Sequence, residues 1–510
     1  MTLPSAGGQQ PHRYGVVVYG GTPAAVITAC AAACQGQRTA IVAPGKRIGG
    51  VVSGGLTRTD FGRQETIGGM SREFFKRAGK RYHEDIAWYF EPHVAEEVFW
   101  EMARDAGVDV YQYHLLKEAG GVRKVWRRIH SITTENGAVF EAKVFVDCSY
   151  EGDLMAQAGV SYTWGREGTD KYGETLAGVR PKDRNHQFDF TVSARDSNGK
   201  LMPEIGSQPR GEIGAADRKV QAYNFRMCLS DDPANRVPFP KPDGYEAARY
   251  KLLAHWLAEF AKVNGRSPRL NEILLPGKMP NNKWDFNNRG PFSTDYIGAS
   301  WDYPNASYAR RADIWREHGD YTKGLFYFLA NDPSVQPDLQ AEMNRFGLAA
   351  DEFADNNHFP TQLYIREARR MVGDFVMSQR DIQTDLTKPD SIGMGSYNSD
   401  SHNVQRFVQN DGTVQNEGNM EVPVKPYEIP YRVLLPRQQE AENLLVPVCF
   451  SASHVAYSTL RMEPVYMIIG QAAGVAADLA IRGGQPVQRI DTGRLRRILQ
   501  NQGAVLEYPR

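Results

Sequence analysis

The chain has 510 residues, 41% of them hydrophobic, with 60 lysines and arginines against 60 aspartates and glutamates. That length implies two or three lobes around a large core, and a formal charge of zero supplies no field to draw in nucleic acid or an anionic membrane. No run of about eighteen apolar residues reads as a membrane span, and five scattered cysteines (Cys30, Cys34, Cys148, Cys228, Cys449) make no disulfide framework, so a reduced, cytoplasmic setting is expected.

The first fifteen residues carry neither an apolar leader nor a twin-arginine signal, although an exported form with its leader removed stays open. Tyr14 to Tyr19 is uncharged and rich in β-branched side chains, as a parallel strand buried on both faces requires. Gly20 and Gly21 follow at once. Pro23 to Cys34 is nearly all small and apolar, a helix able to lie close against a sheet, with Gly36 as its stop. Arg38 to Ala43 supplies a second strand. Such a unit offers backbone N–H groups and the positive end of a helix to a pyrophosphate. It departs from GxGxxG at Thr22 and Ala25, and Ala43 and Pro44 stand where an acid would bind a ribose hydroxyl.

Between Gly45 and Gly62 six glycines interleave with Ile48, Val51, Val52 and Leu56, a pattern that suits backbone passing close to a ligand better than a mobile loop. Helices are expected over 69–79 and 92–106, then a strand over 108–113 and a meander over 122–131 and 138–146. Asp147 falls at the end of a central strand, where open α/β sheets bind ligands. A helix begins near Leu154, with Asp153 as a possible cap. Strand character returns over 219–229 and a helix over 244–262. The loop Arg289 to Trp301 either covers a site or packs a lobe, and helices follow at 308–318 and 321–329.

Leu363 to Arg380 reads as an amphipathic helix with Ile365, Ala368, Val372 and Phe375 on one face and Arg366, Arg370 and Asp374 on the other. That polar face is either solvated and ion-paired or presents Arg366 to a substrate or cofactor. In Ser391 to Arg406, Asp400 and His402 share a face if the segment is extended. They are a histidine base oriented by a carboxylate, or a plain surface histidine and its neighbour. His454, ahead of the last long helix, is the rival base. Asn443 to Phe450 is another buried strand. In the helix after Met462, Gly470 and Gly474 allow close approach to a neighbour. Cys30 and Cys34 share a helix face but read as buried small hydrophobes, and no metal site is expected.

Taken together, VVVYGGTPAA, RIGGVVSGGL, VFVDCSYEGDLMAQAG, IREARRMVGDFV, IPYRVLLP and RMEPVYMIIGQAAGVAA resemble the FAD-dependent oxidoreductase family of glutathione-reductase-like fold, over almost the whole chain. The resemblance implies an α/β architecture: a discontinuous Rossmann-like FAD-binding domain (14–165 and 431–490), an inserted α+β substrate-binding region (166–430) and a C-terminal extension (491–510). Gly20, Gly21, Thr22, Pro23, Ala24 and Ala25 then correspond to the pyrophosphate turn, with Thr22 a departure from the family pattern. Gly49, Gly50, Gly54 and Gly55 correspond to the loop beside the flavin's phosphate and ribityl chain, and Asp147 to the second nucleotide-side strand end. Met462, Glu463 and Pro464 correspond to the helix start near the pyrimidine edge of the flavin.

There is no second glycine-rich βαβ unit for NAD(P)H, and nothing resembles the terminal motif of flavin hydroxylases. The leading expectation is therefore a dehydrogenase or oxidase taking hydride from a CH–OH or CH–NH group of a small polar substrate. The Asn, Asp, Tyr and Trp of the middle region suit a sugar-like ligand, though they are common in polar lobes too. His402 is the candidate base with Asp400 orienting it, and Arg366 and His454 are the other catalytic candidates. A flavin monooxygenase using NAD(P)H and an RNA-modifying flavoprotein are the alternatives. The expected partners are a small-molecule substrate and an unspecified electron acceptor, without nucleic acid or membrane, and the oligomeric state stays open.

Overall fold

The computed structural model describes residues 10–509, so most of the stretch on which the leader reading falls lies outside the described residues. β1 (His12–Tyr19) runs between two parallel neighbours, β2 (Thr39–Val42) and β6 (Val139–Asp147). β3 (Asp109–Tyr111) extends the parallel set beyond β2. The outer edge of β6 is shared. The hairpin of β4 (Val122–Val125) and β5 (Arg128–Thr133) pairs antiparallel with its start, while Leu444–Leu445 pairs parallel with its end. The architecture is α/β with a parallel-strand sheet, and a segment from near the C-terminus completes it.

α1 (Pro23–Cys34) is buried from Pro23 to Ala32 and lies against the helix Glu463–Gly483. Small residues set that distance. A Cβ added at Gly470 would stand 2.8 Å from the Ala24 carbonyl oxygen, one at Gly474 would collide with that of Thr28, and Thr28 Oγ1 donates to the Gly470 carbonyl at 3.0 Å. By length and composition Glu463–Gly483 is apolar enough to cross a membrane, contrary to the sequence reading. It is a core helix instead, since every residue from Glu463 to Ala480 is buried.

α2 (Gly50–Gly54), α3 (Gly69–Arg81) and α4 (Pro92–Asp105) pack beside α1. A second, antiparallel sheet joins Leu274–Lys278, Lys283–Asn288, Met227–Ser230, Gly347–Ala349 and Arg236–Val237 in that order. The helices Lys251–Asn264 and Tyr308–Asn331 accompany it. The latter is one rod where two helices are expected.

Several elements differ from expectation. α5 (Asp153–Gln157) is capped by Gly152 at φ +70°, which leaves the Asp153 carboxylate to pair with Arg311 at 2.7 Å and Arg369 at 2.6 Å. Only Met227–Ser230 of 219–229, and Leu444–Leu445 of 443–450, pair as strands. Leu363 to Arg380 is not an amphipathic helix. Its chain is extended, Arg370–Met371 pair with Tyr162–Thr163, and a helix begins only at Gln379. The reason is that consecutive charged side chains reach buried partners in different directions: Arg366 to Asp295 (3.2 Å), Glu367 to His454 (2.8 Å), Arg369 to Asp153 (2.6 Å) and Arg370 to Glu167 (2.7 Å). Losing one partner of such a buried pair costs several kcal/mol, about 3–5, which outweighs helix propensity.

Gly474→Val is expected to lower stability by about 1–3 kcal/mol or more through overpacking against α1. The midpoint of denaturant unfolding measures this, and an unchanged midpoint would mean the two helices are free to move apart.

Candidate functional site

The glycine turn opens on a cavity of about 700 Å³ lined by Gly20, Gly21, Thr22, Gly45, Gly50 and Ser149 to Glu151. Gly20 adopts φ +122° and lies flat on the chain leaving β6, where an added Cβ would stand 2.7 Å from the Cys148 backbone. Thr22 at the middle-glycine position caps α1. Its hydroxyl donates to the Cys148 carbonyl (2.7 Å) and accepts from the Ala25 N–H (3.2 Å). Among the described residues the N–H groups of Gly21, Thr22 and Ala24 have no protein acceptor. Free donors at a helix start beside a cavity suit a pyrophosphate, so this turn fits the FAD that the resemblance implies.

The other residues matched to that cofactor have different neighbours. Pro23, Ala24 and Ala25 are buried and line no cavity. The amides of Gly49 and Gly50 donate to the Gly21 carbonyl at 2.7 and 2.8 Å, tying the loop to the turn. Gly54 is packed by Gln362 and Gly55 by the Arg226 backbone. Asp147 is fully buried and accepts from the Ser149 N–H and hydroxyl and the Met155 N–H. It therefore shapes the turn that brings Ser149 to Glu151 to the cavity. Met462, Glu463 and Pro464 line neither cavity. Glu463 accepts from the Tyr150 hydroxyl at 2.7 Å, and burial pushes its carboxyl up to about 8. Where the ribose acid is missing at Ala43, the cavity wall carries Asp355, which Arg47 holds at 2.6 Å.

A second cavity, of about 830 Å³, has Arg226 and Tyr364 in its wall, whereas Phe225 and Gln362 line the first. Its inner end is lined by Asp60, Arg226, Tyr364, Tyr397, Asp400, His402 and Arg461. His402 and Asp400 do meet here, yet Asp400 does not orient the imidazole. The partner of His402 Nδ1 is Asp295 Oδ2 at 2.6 Å. Asp400 is in a short strand pair with Glu421–Val422, and its carbonyl and carboxylate accept from Arg461 at 2.9 and 3.4 Å. Both side chains face one cavity, as residues two apart in an extended segment should, but the imidazole turns its Nδ1 to Asp295 and not to Asp400. Nothing local in the sequence announces Asp295, which sits in the loop Arg289 to Trp301.

Electrostatics sharpen the arrangement. Burial would raise the Asp295 carboxyl, but the Arg366 guanidinium and then His402 outweigh it and hold Asp295 ionised. Burial, followed by the charge of Arg366, lowers His402 to about 3. The imidazole is therefore neutral at physiological pH, with its proton on Nδ1 facing Asp295 and Nε2 left as acceptor without a protein partner among the described residues. Asp400 is pushed up to about 7, chiefly by burial, with Asp60 and Glu421 adding to it against Arg461.

Arg366 is fully buried behind Asp295 and faces neither solvent nor cavity. His454 is buried at the first turn of the helix His454–Leu460, with Nδ1 on Glu367 at 2.8 Å, and lines no cavity. Glu91, His93 and Glu352 come together elsewhere, but the Lys283 ammonium stands 2.7 Å from both carboxylates and already supplies their cation.

A protein-family model described as FAD dependent oxidoreductase matches residues 15–499. A search of curated proteins returns no match. Among solved structures, the OxyS anhydrotetracycline hydroxylase from Streptomyces rimosus is 16% identical with a TM-score of 0.24, covering 34% of this chain and 41% of that one. The glycine oxidase from Geobacillus kaustophilus is 18% identical with a TM-score of 0.22, covering 31% and 61%. The Diels-Alderase PyrE3 is 18% identical with a TM-score of 0.24, covering 50% and 52%. This chain spans less than two thirds of the length of each, and likenesses at these scores carry nothing about activity.

Gly20→Val is expected to give colourless protein, with circular dichroism separating a lost cofactor from a lost fold. A yellow, fully loaded variant would exclude this turn as the cofactor's seat. Asp400 and Glu463 also predict a pH dependence. Their folded values, about 7 and about 8, lie above an unfolded value of about 4. The folded chain then holds protons that the unfolded chain has released, and the stability this contributes is lost as pH rises through those values. In scanning calorimetry Asp400→Asn and Glu463→Gln should each flatten the fall in melting temperature between about pH 5 and 8, and slopes equal to the wild type would contradict both shifts.

Proposed function

Because the chain belongs to the FAD dependent oxidoreductase family, we propose that it is a dehydrogenase or oxidase taking hydride from a CH–OH group of a small polyhydroxylated substrate in the polar cavity. The observation that carries this reading is the 2.6 Å bond from His402 Nδ1 to Asp295 Oδ2 at the wall of that cavity. When bound, FAD would accept the hydride; the free amides of Gly21 and Thr22, which line the first cavity, would hold its pyrophosphate. His402 Nε2 takes the hydroxyl proton as the carbonyl forms. Asp295 steadies the imidazolium through Nδ1, and Arg366 keeps Asp295 ionised. Asp60, Tyr364, Tyr397 and Asp400 offer hydrogen bonds to neighbouring hydroxyls. In this reading residues 166–430 form the inserted substrate-binding region, and the 14–165 and 431–490 segments form the FAD-binding domain.

An amine substrate is the second reading of the same chemistry, and the low value of His402 speaks against it. A CH–NH group enters as an ammonium with a pKa of about 8–10 and must lose a proton before hydride can leave. A base near 3 is poorly matched to that task.

His402→Ala should keep its flavin and slow anaerobic flavin reduction by about 10²- to 10⁴-fold. Asp295→Asn, which keeps the shape but reverses the tautomer preference, should lose a comparable factor. His454→Ala, by contrast, is expected to disturb cofactor loading more than the reduction rate. Stopped-flow reduction with sugars and polyols measures all three. A His402→Ala enzyme reduced at the wild-type rate would send the search for the base elsewhere, and bleaching by NADPH alone would turn the reading into a monooxygenase.

A further inference from the structure

At the inner end of the polar cavity both arginines are paired, Arg226 with Asp285 and Arg461 with Asp400, and Asp60 stands beside them without an ion-pair partner. The outer end differs. Six arginines line the cavity in all, and three of them, Arg184, Arg269 and Arg289, are exposed and have no carboxylate partner among the described residues. The other rim charges partly cancel. Arg266 is held by Glu272 at 2.6 Å, which leaves Asp189 and Glu421, the latter 3.6 Å from the His186 imidazole, as the acids of the rim without an arginine or lysine partner. Three free guanidinium groups against two carboxylates make the mouth a positive collar on a molecule of zero net charge.

Two aromatic side chains lie at the same end. Trp256 lines the cavity and is 4% exposed, with its indole N–H enclosed by protein. Phe260, one turn further along the same helix, also lines the cavity, with its ring 5.3 Å from that of Trp256 and 4.9 Å from the Arg266 guanidinium. The cavity lies toward the upper end of the roughly 300–1,000 Å³ range of ligand sites, larger than one monosaccharide requires.

Resting on the reaction proposed above, we infer that the substrate is an acidic saccharide longer than one ring. The sugar to be oxidised lies at His402, and a following residue bearing a carboxylate or sulfate is held at the mouth by Arg184, Arg269 and Arg289 beside Trp256. Guanidinium groups bind planar or tetrahedral oxyanions through paired N–H donors. Their place at the mouth rather than at His402 assigns them to the second ring, where they select the substrate without entering the chemistry.

The test uses the yellow holoenzyme and three disaccharides that differ only in the second ring: glucose, glucuronic acid, or glucose carrying a sulfate ester. Calorimetric binding and the half-saturating concentration for anaerobic flavin reduction are measured for the wild type and for Arg269→Ala/Arg289→Ala. The wild type should prefer an acidic disaccharide over the neutral one by tenfold or more, and the preference should collapse in the double variant and weaken with added salt. Which acidic arm binds better identifies the oxyanion. Equal binding of neutral and acidic disaccharides by the wild type, or a preference that survives in the double variant, overturns the inference. Reduction by none of the three would fail the proposed reaction, while the calorimetric preference would still decide the acidic subsite.

Discussion

The constraint on which the rest of the molecule depends is the approach of two helices at backbone distance. Ala24 and Thr28 of α1 meet Gly470 and Gly474 of the helix Glu463–Gly483, and there is no room for a Cβ at either glycine. The two helices lie at opposite ends of the sequence, so this contact fixes the C-terminal segment beneath the N-terminal sheet. The position of both cavities depends on it. Arg461, just before the second helix, lines the polar cavity, and Glu463, at its first turn, anchors Tyr150 in the wall of the glycine-turn cavity. Two sites that share one buried rod keep a fixed relation, which suits a reaction whose cofactor and substrate come from different sides.

The segment 363–370 is the other organiser, and it shows why period alone misleads. Its spacing of apolar residues fits a helix. In a helix Arg366 and Arg370 would share one face and one environment. In the fold they are both fully buried and serve different partners, Asp295 and Glu167, on different elements. Charges taken out of water must each be matched. Arg366 is matched at Asp295, Arg369 at Asp153, and Glu367 and Arg370 in one cluster with Glu167 and His454, and these separate places suit an extended chain. The density of charge in REARR within an apolar setting was the legible sign; the partners were not.

Elsewhere legibility tracks sequence distance. The strand, turn and helix at 14–43 depend on local composition and match the structure closely. The substitution at Thr22 becomes intelligible once its hydroxyl is seen to bridge α1 and Cys148. His402 could be singled out as a base, because a histidine in a polar glycine-containing loop is visible in sequence. Its carboxylate could not. Asp400 shares the cavity with His402 as its spacing predicts, but a shared face does not settle which carboxylate meets the imidazole. Asp295 lies 107 residues away.

The burial that lowers His402 would by itself make it a poor base, since bases near the working pH are the most effective. In the alcohol oxidation proposed above the objection fails. As hydride departs, the hydroxyl becomes that of a protonated carbonyl, a far stronger acid than an imidazolium, so even a weakened imidazole accepts the proton downhill. What the site needs more is readiness. A histidine with an ordinary value near 6.5 would be partly protonated, and so inactive, on the acid side of neutrality. Burial and Arg366 remove that loss. The same two effects disfavour the imidazolium once it forms, so the proton does not rest on Nε2 and the base is restored for the next turnover. Asp295 opposes them only enough to fix which nitrogen carries the resting proton.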